Sequence, residues 1–161
     1  MLRISKLTDY GTMILVHLAS AKDKHLLPAS DVAESTHLAL PTVQKLLKIL
    51  TKNGLVESAR GTDGGYRLAR APEQITAAEI LDTLEGPVAI TECSHDDGHC
   101  DLEPNCQVGN AWQKISLAIR AAMNDIRLCD LQNPPMEFPL RHTILSKSGH
   151  KPRLHKQALG K

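Results

Sequence analysis

Apolar residues recur at three- and four-residue steps through much of the first half of the chain, and the period changes once, near residue 55. Tyr10, Met13, Ile14, His17 and Leu18 predict a helix from Thr8 to Ser20, with Thr8 as its cap. Ser30 is placed to cap a short helix over Asp31–Thr36, whose first turn carries Asp31 and Glu34 in a capping-box-like arrangement. A third helix opens with Pro41 at its first position and carries the stripe Val43, Leu46, Leu47 and Leu50 as far as Asn53-Gly54. Beyond it, Leu55–Arg60 and Tyr66–Ala69 are short extended segments joined by Gly61-Thr62-Asp63-Gly64-Gly65, which predicts a β-hairpin.

The second half is patterned differently. Ala77, Ile80, Leu81 and Leu84 predict a helix capped by Thr76 and ended by Glu85-Gly86-Pro87. A polar stretch from Thr91 to Asn105 follows. Trp112, Ile115, Ile119, Met123 and Ile126 then predict one long helix from about Gln107 to Leu128, flanked by Ala111, Ala118, Ala121 and Ala122. Such faces need burial, either within the chain or against the same helix of a second copy. After Asn133-Pro134-Pro135 the sequence is basic and aperiodic, the pattern of a mobile tail. The chain thus divides into residues 1–70, residues 71–131 and a tail, 132–161.

Composition narrows the fold class. The chain has 161 residues, 42% of them apolar but only 2% aromatic, so its core is built from Leu, Ile, Val and Ala and favours packed helices over a sheet sandwich. No apolar run approaches the roughly 20 residues that cross a bilayer, and the N-terminus lacks the apolar stretch of a signal peptide, so a cytoplasmic protein without membrane contact is expected. No nucleophile, base and oxyanion donor can be assembled, so neither an enzyme nor a small-molecule substrate is expected.

The net charge of +1 conceals a strong asymmetry. Residues 1–70 carry ten Lys/Arg against six Asp/Glu, residues 71–138 three against twelve, and residues 139–161 six basic groups and no acid. A basic front suits a polyanion. Two short helices, a turn, a basic third helix and a glycine-tipped hairpin, in that order, make a winged helix-turn-helix within a mainly α protein. Its amphipathic third helix can lie in the major groove of double-stranded operator DNA, with Thr42, Gln44, Lys45 and Lys48 outside the apolar stripe. The lysines suit phosphate and Gln44 a base edge, while Arg60 and Arg67 flank the hairpin wing, within reach of phosphates or the minor groove. The alternative is that these charges only solvate the surface.

Cys93, Cys100 and Cys106 share one loop, separated by six and then five residues. In a reducing compartment this spacing points to metal or redox chemistry rather than disulfides. Three readings stay open: thiolates holding an iron–sulfur cluster, a zinc site completed by His95 or His99, and free redox thiols. Cys129 stands apart on the long helix and reads as a packed residue. No role falls to His17, His25 or His37.

The opening Leu2–Gly11, the stretch Pro41–Lys48, the wing Lys52–Gly61 with Gly64-Gly65-Tyr66, and the three-cysteine loop together resemble the bacterial winged-helix iron–sulfur regulators typified by IscR and NsrR, and among them the regulators of SUF iron–sulfur assembly operons. The resemblance covers about residues 1–130. It implies a homodimer with crossing long helices, a pseudo-palindromic operator, and a 2Fe-2S or 4Fe-4S cluster on Cys93, Cys100 and Cys106. IscR-like members place a histidine three positions after the last cysteine, where this chain has Gly109. NsrR-like members use an aspartate of the partner's first helix, and Asp9 holds the matching position. His95 and His99 are reserve ligands. The implied function is a repressor of SUF-type assembly genes that senses cluster or redox status; the alternatives are a nitric-oxide-sensing repressor of the same family and a zinc-stabilised winged-helix module.

Overall fold

The computed structural model describes residues 4–21, 25–61, 63–87 and 108–132. Among the described residues six helices and one hairpin follow one another as α1 (Lys6–Ser20), α2 (Ala29–Thr36), α3 (Leu40–Lys52), β1 (Val56–Ala59), β2 (Gly65–Leu68), α4 (Ala77–Glu85), α5 (Gly109–Asp125) and α6 (Leu128–Gln132), with a 3₁₀ turn at Pro72–Gln74 before α4. The predicted cysteine loop and basic tail lie outside the described residues.

The helix-turn-helix is closed by backbone geometry. At the end of α2, His37 adopts φ 56°, which lets Leu38 N donate to Ala33 O at 3.1 Å and turns the chain into α3. The end of α3 follows the predicted Asn53-Gly54 signal, with Leu55 N donating to Leu50 O at 3.0 Å. In the hairpin Val56 faces Leu68, Glu57 faces Arg67 and Ser58 faces Tyr66, antiparallel. Leu27 adds a single-residue third strand, exchanging two 2.9 Å backbone hydrogen bonds with Tyr66. Gly65 makes this approach possible, because a Cβ there would sit 2.6 Å from the carbonyl of Leu27.

One apolar core joins these elements. Ile14 and Leu15 from α1, Val32 from α2, Val43, Leu46, Leu47 and Leu50 from α3, Leu55 and Val56, Ile75, Ile80 from α4 and Leu128 from α6 are buried in one cluster. The result is the expected mainly helical winged helix-turn-helix.

Three local predictions are corrected. The cap of α1 is Ser5, whose hydroxyl accepts from Thr8 N, while Thr8 itself lies inside the first turn and its hydroxyl bonds Glu85. For α2 the start is set by Pro28, whose carbonyl accepts from Asp31 N and Val32 N; Ser30 bonds the Asp31 carboxylate instead. The predicted long helix is two helices. Ile126 is extended, and residues 126–128 pair with residues 75–77: Ala77 N donates to Ile126 O and Leu128 N to Ile75 O, both at 2.9 Å. The Asp130 carboxylate then accepts from Arg127 N at 2.8 Å and starts α6. Cys129 lies half-buried on α6.

Candidate nucleic-acid interface and cysteine loop

The two faces of α3 are sharply divided. Val43, Leu46, Leu47 and Leu50 are fully buried, whereas Gln44, Lys45 and Lys48 are exposed and Thr42 is half-buried. Burial of one stripe fixes the rotation of the helix, and so fixes which side chains face outward. Among the described residues no carboxylate lies within ion-pairing distance of Lys45, Lys48 or Arg60. These cations are therefore available to an external anion.

The two wing arginines differ. Arg60 is exposed just past β1, at the entry to the hairpin tip. Arg67 is opposite Glu57 in the register and forms an ion pair with it across the two strands. The pair lines a groove of about 440 Å³ together with Leu18 and Ala19 near the end of α1 and His25 beyond it. A phosphate would have to compete with Glu57 for Arg67, which is not so for Arg60.

The three cysteines lie in the sequence between α4 and α5, and the described residues show what holds the end of α4. Glu85, the last residue of α4, accepts hydrogen bonds from the backbone N of Ser5 at 2.7 Å and from Oγ1 of Thr8 at 2.5 Å. Its carboxyl is held below the usual carboxylate range, chiefly by the Thr8 hydroxyl, then by Ser5. Glu85 thus acts as an outside cap on α1, and Gly11 lets the two helices close: a Cβ there would come within 2.5 Å of Leu84 Cδ1. Sequence reasoning missed this role for Glu85. Its signal was an acid at a helix C-terminus, where the helix dipole disfavours negative charge unless another partner binds it.

Asp9 sits in the same first turn of α1, exposed, and its carboxylate accepts no hydrogen bond among the described residues. Cys93, Cys100 and Cys106, with His95 and His99, lie outside the described residues, and among those described no three His, Cys, Asp or Glu side chains converge as a metal site. An exposed, uncommitted carboxylate fits the role of an oxygen donor to iron; the neighbouring Glu85, engaged twice, does not.

The family model described as Rrf2, iron-dependent transcriptional regulator, matches residues 4–134. The chain belongs to the Rrf2 family. It is similar to the HTH-type transcriptional regulator NsrR of Bacillus licheniformis, with 30% identity over 131 residues that cover 81% of this chain and 92% of the relative. Among solved structures it is similar to CymR, the global cysteine regulator of B. subtilis, with a TM-score of 0.64 and 30% identity over 82% of this chain and 97% of that one. It is also similar to T. potens IscR, with a TM-score of 0.60 and 29% identity over 81% and 85% of the two chains.

As a member of the Rrf2 family the chain is a DNA-binding transcriptional regulator, not an enzyme. No helix among the described residues is long and apolar enough to cross a membrane. Among the described residues α5 buries only Ser116; Trp112 and Ile115, on one flank, are 40% and 42% exposed, and Leu117, on the opposite side, is 65% exposed. The base of that helix is anchored to α4 by a bidentate Arg120–Asp82 ion pair, one arm of it 2.9 Å long.

Proposed function

We propose that this Rrf2 chain is a homodimeric repressor of SUF-type iron–sulfur assembly genes, in which α3 enters the major groove of an operator half-site and an iron–sulfur cluster conveys cluster or redox status. The observation that carries the DNA contact is the outward face of α3: Gln44, Lys45 and Lys48 are exposed on a helix whose opposite stripe is wholly buried. The lysines would take phosphates, Gln44 and Thr42 the base edges, and Arg60 the backbone or minor groove beside the wing. Arg67 would add less, because Glu57 already holds it. The target operon rests on the sequence resemblance alone.

Cys93, Cys100 and Cys106, with Asp9 of the partner subunit, would hold the cluster. The chemistry such a group supplies when bound is redox change and ligand loss, the latter eased by a hard oxygen donor among thiolates. The rest is work of the chain itself. Glu85 ties the end of α4 to the N-terminus of α1, the turn that carries Asp9, and the cysteine segment follows α4 in the sequence. The exposed apolar residues of α5 would pack on their copies and set the distance between the two α3 helices. Half-sites lie about 34–36 Å apart, so a small change in that distance decides whether both helices dock.

The test is a visible absorption spectrum of protein purified without air, with iron and sulfide analysis, and operator binding before and after cluster removal. The reading expects a coloured protein whose DNA affinity changes on removal, and a Cys100→Ala protein that stays a folded dimer without the visible bands. A colourless protein with stoichiometric zinc and unchanged DNA binding would overturn the sensor and leave a winged-helix regulator with a structural metal.

A further inference from the structure

The recognition face of α3 contains a residue that charge and hydrogen bonding leave unaccounted for. Leu40, the first residue of the helix, is 41% exposed, although every later leucine of the helix is fully buried. It lies one turn before Gln44 and two turns before Lys48 on the same flank, the i, i+4, i+8 line of a helix. Its neighbours Ala39 and Pro41 are exposed as well. The first turn is thus an apolar tip on an otherwise polar and cationic surface, with no N–H at Pro41 to offer an acceptor.

An apolar tip has only one complementary group in a major groove. Each base pair presents donors and acceptors there, but the thymine C5 methyl is the sole apolar feature. The N-terminal residues of a recognition helix are those that reach base edges. A protein partner is the less suitable occupant, since Gln44, Lys45 and Lys48 beside the tip would have to be desolvated against it, whereas they complement a phosphate-lined groove. We propose that Leu40 is a specificity-determining residue that reads a thymine methyl in each operator half-site, next to the base faced by Gln44. The inference rests on α3 being the recognition helix.

The experiment separates the two ideas. Duplexes enriched from a randomised library by the full-length protein supply the site, and each thymine in it is then replaced singly by uracil, which lacks only the methyl. One thymine per half-site is expected to weaken wild-type binding about fourfold on replacement, the value of one buried methyl. Leu40→Ala should bind thymine and uracil duplexes equally while keeping the salt dependence of the wild type. Leu40→Met, close in volume, should retain the discrimination and guards against a misfolded alanine variant. Discrimination that persists in Leu40→Ala, or a site without any uracil-sensitive thymine, overturns the role of Leu40 while α3 stands as the recognition helix. A library that enriches no sequence, together with a salt slope unchanged by Lys45→Ala, overturns both.

Discussion

The hydroxyl of Thr8, itself only 2% exposed near the start of α1, donates to the carboxylate of Glu85 at the end of α4 over 2.5 Å. These residues are 77 positions apart in sequence. The bond carries charge and joins the N-terminus of α1 to the C-terminus of α4, so it contributes to the stability of the winged domain.

Removing that acceptor should lower stability. Glu85→Ala leaves the Thr8 hydroxyl and Ser5 N without their partner, and a loss of about 1 kcal/mol is expected once solvent screening of an exposed carboxylate is included. Thermal unfolding should then begin a few degrees lower. The pH dependence has a definite sign. Because the folded carboxyl is held below its ordinary value by Thr8 and Ser5, its contribution is fully present above the unfolded pKa of about 4.3 and is lost as the pH falls through the folded value. The difference between wild type and Glu85→Ala should be constant from about pH 6 to 8 and shrink below about pH 4. A difference that grows in acid would contradict the assignment.

Two glycines offer a contrast between soft and hard obstacles. A methyl at Gly11 would meet the flexible tip of Leu84, which can turn aside, whereas a methyl at Gly65 would meet the backbone of Leu27, which cannot without breaking its bridge to Tyr66. Gly65→Ala is expected to cost about 2–3 kcal/mol and Gly11→Ala about 1 kcal/mol or less in denaturant unfolding. Equal costs would mean that the Leu27 bridge yields freely.

The wing arginines should separate in DNA binding. Arg60 has no acidic partner among the described residues and Arg67 has Glu57, so Arg60→Ala should weaken operator binding more than Arg67→Ala. Lys45→Ala should lower affinity for all sequences alike and reduce the slope of log K against log salt by about one unit. Titrations at several salt concentrations measure both effects. An Arg67→Ala protein that loses more affinity than Arg60→Ala would show that DNA displaces Glu57.

On α5, a charge placed in the exposed apolar face should act on assembly and not on the fold. Ile115, on the same flank as Trp112, is 42% exposed in one chain, so Ile115→Glu should leave the helical content unchanged while shifting the protein from dimer to monomer in sedimentation analysis. A variant that remains dimeric would place the interface on another surface.

The sequence by itself determined the order of the elements, the rotation of α3 and the cap of α4, because each depends on neighbours within one or two turns. The apolar stripe Val43, Leu46, Leu47 and Leu50 decides which side of α3 is buried, and Thr76 bonds Glu79 N three residues away. Thr42, Gln44, Lys45 and Lys48 were legible for the same reason: to know the inner face is to know the outer one. Tertiary structure alone decided the break at Ile126, where apolar periodicity continues but backbone pairing with residues 75–77 supplies better partners than another helical turn. It alone decided that Thr8 bonds Glu85, and that Arg67 is engaged while Arg60 is not. Such choices depend on groups brought together by the packing of the core, whose distance along the chain no local pattern encodes.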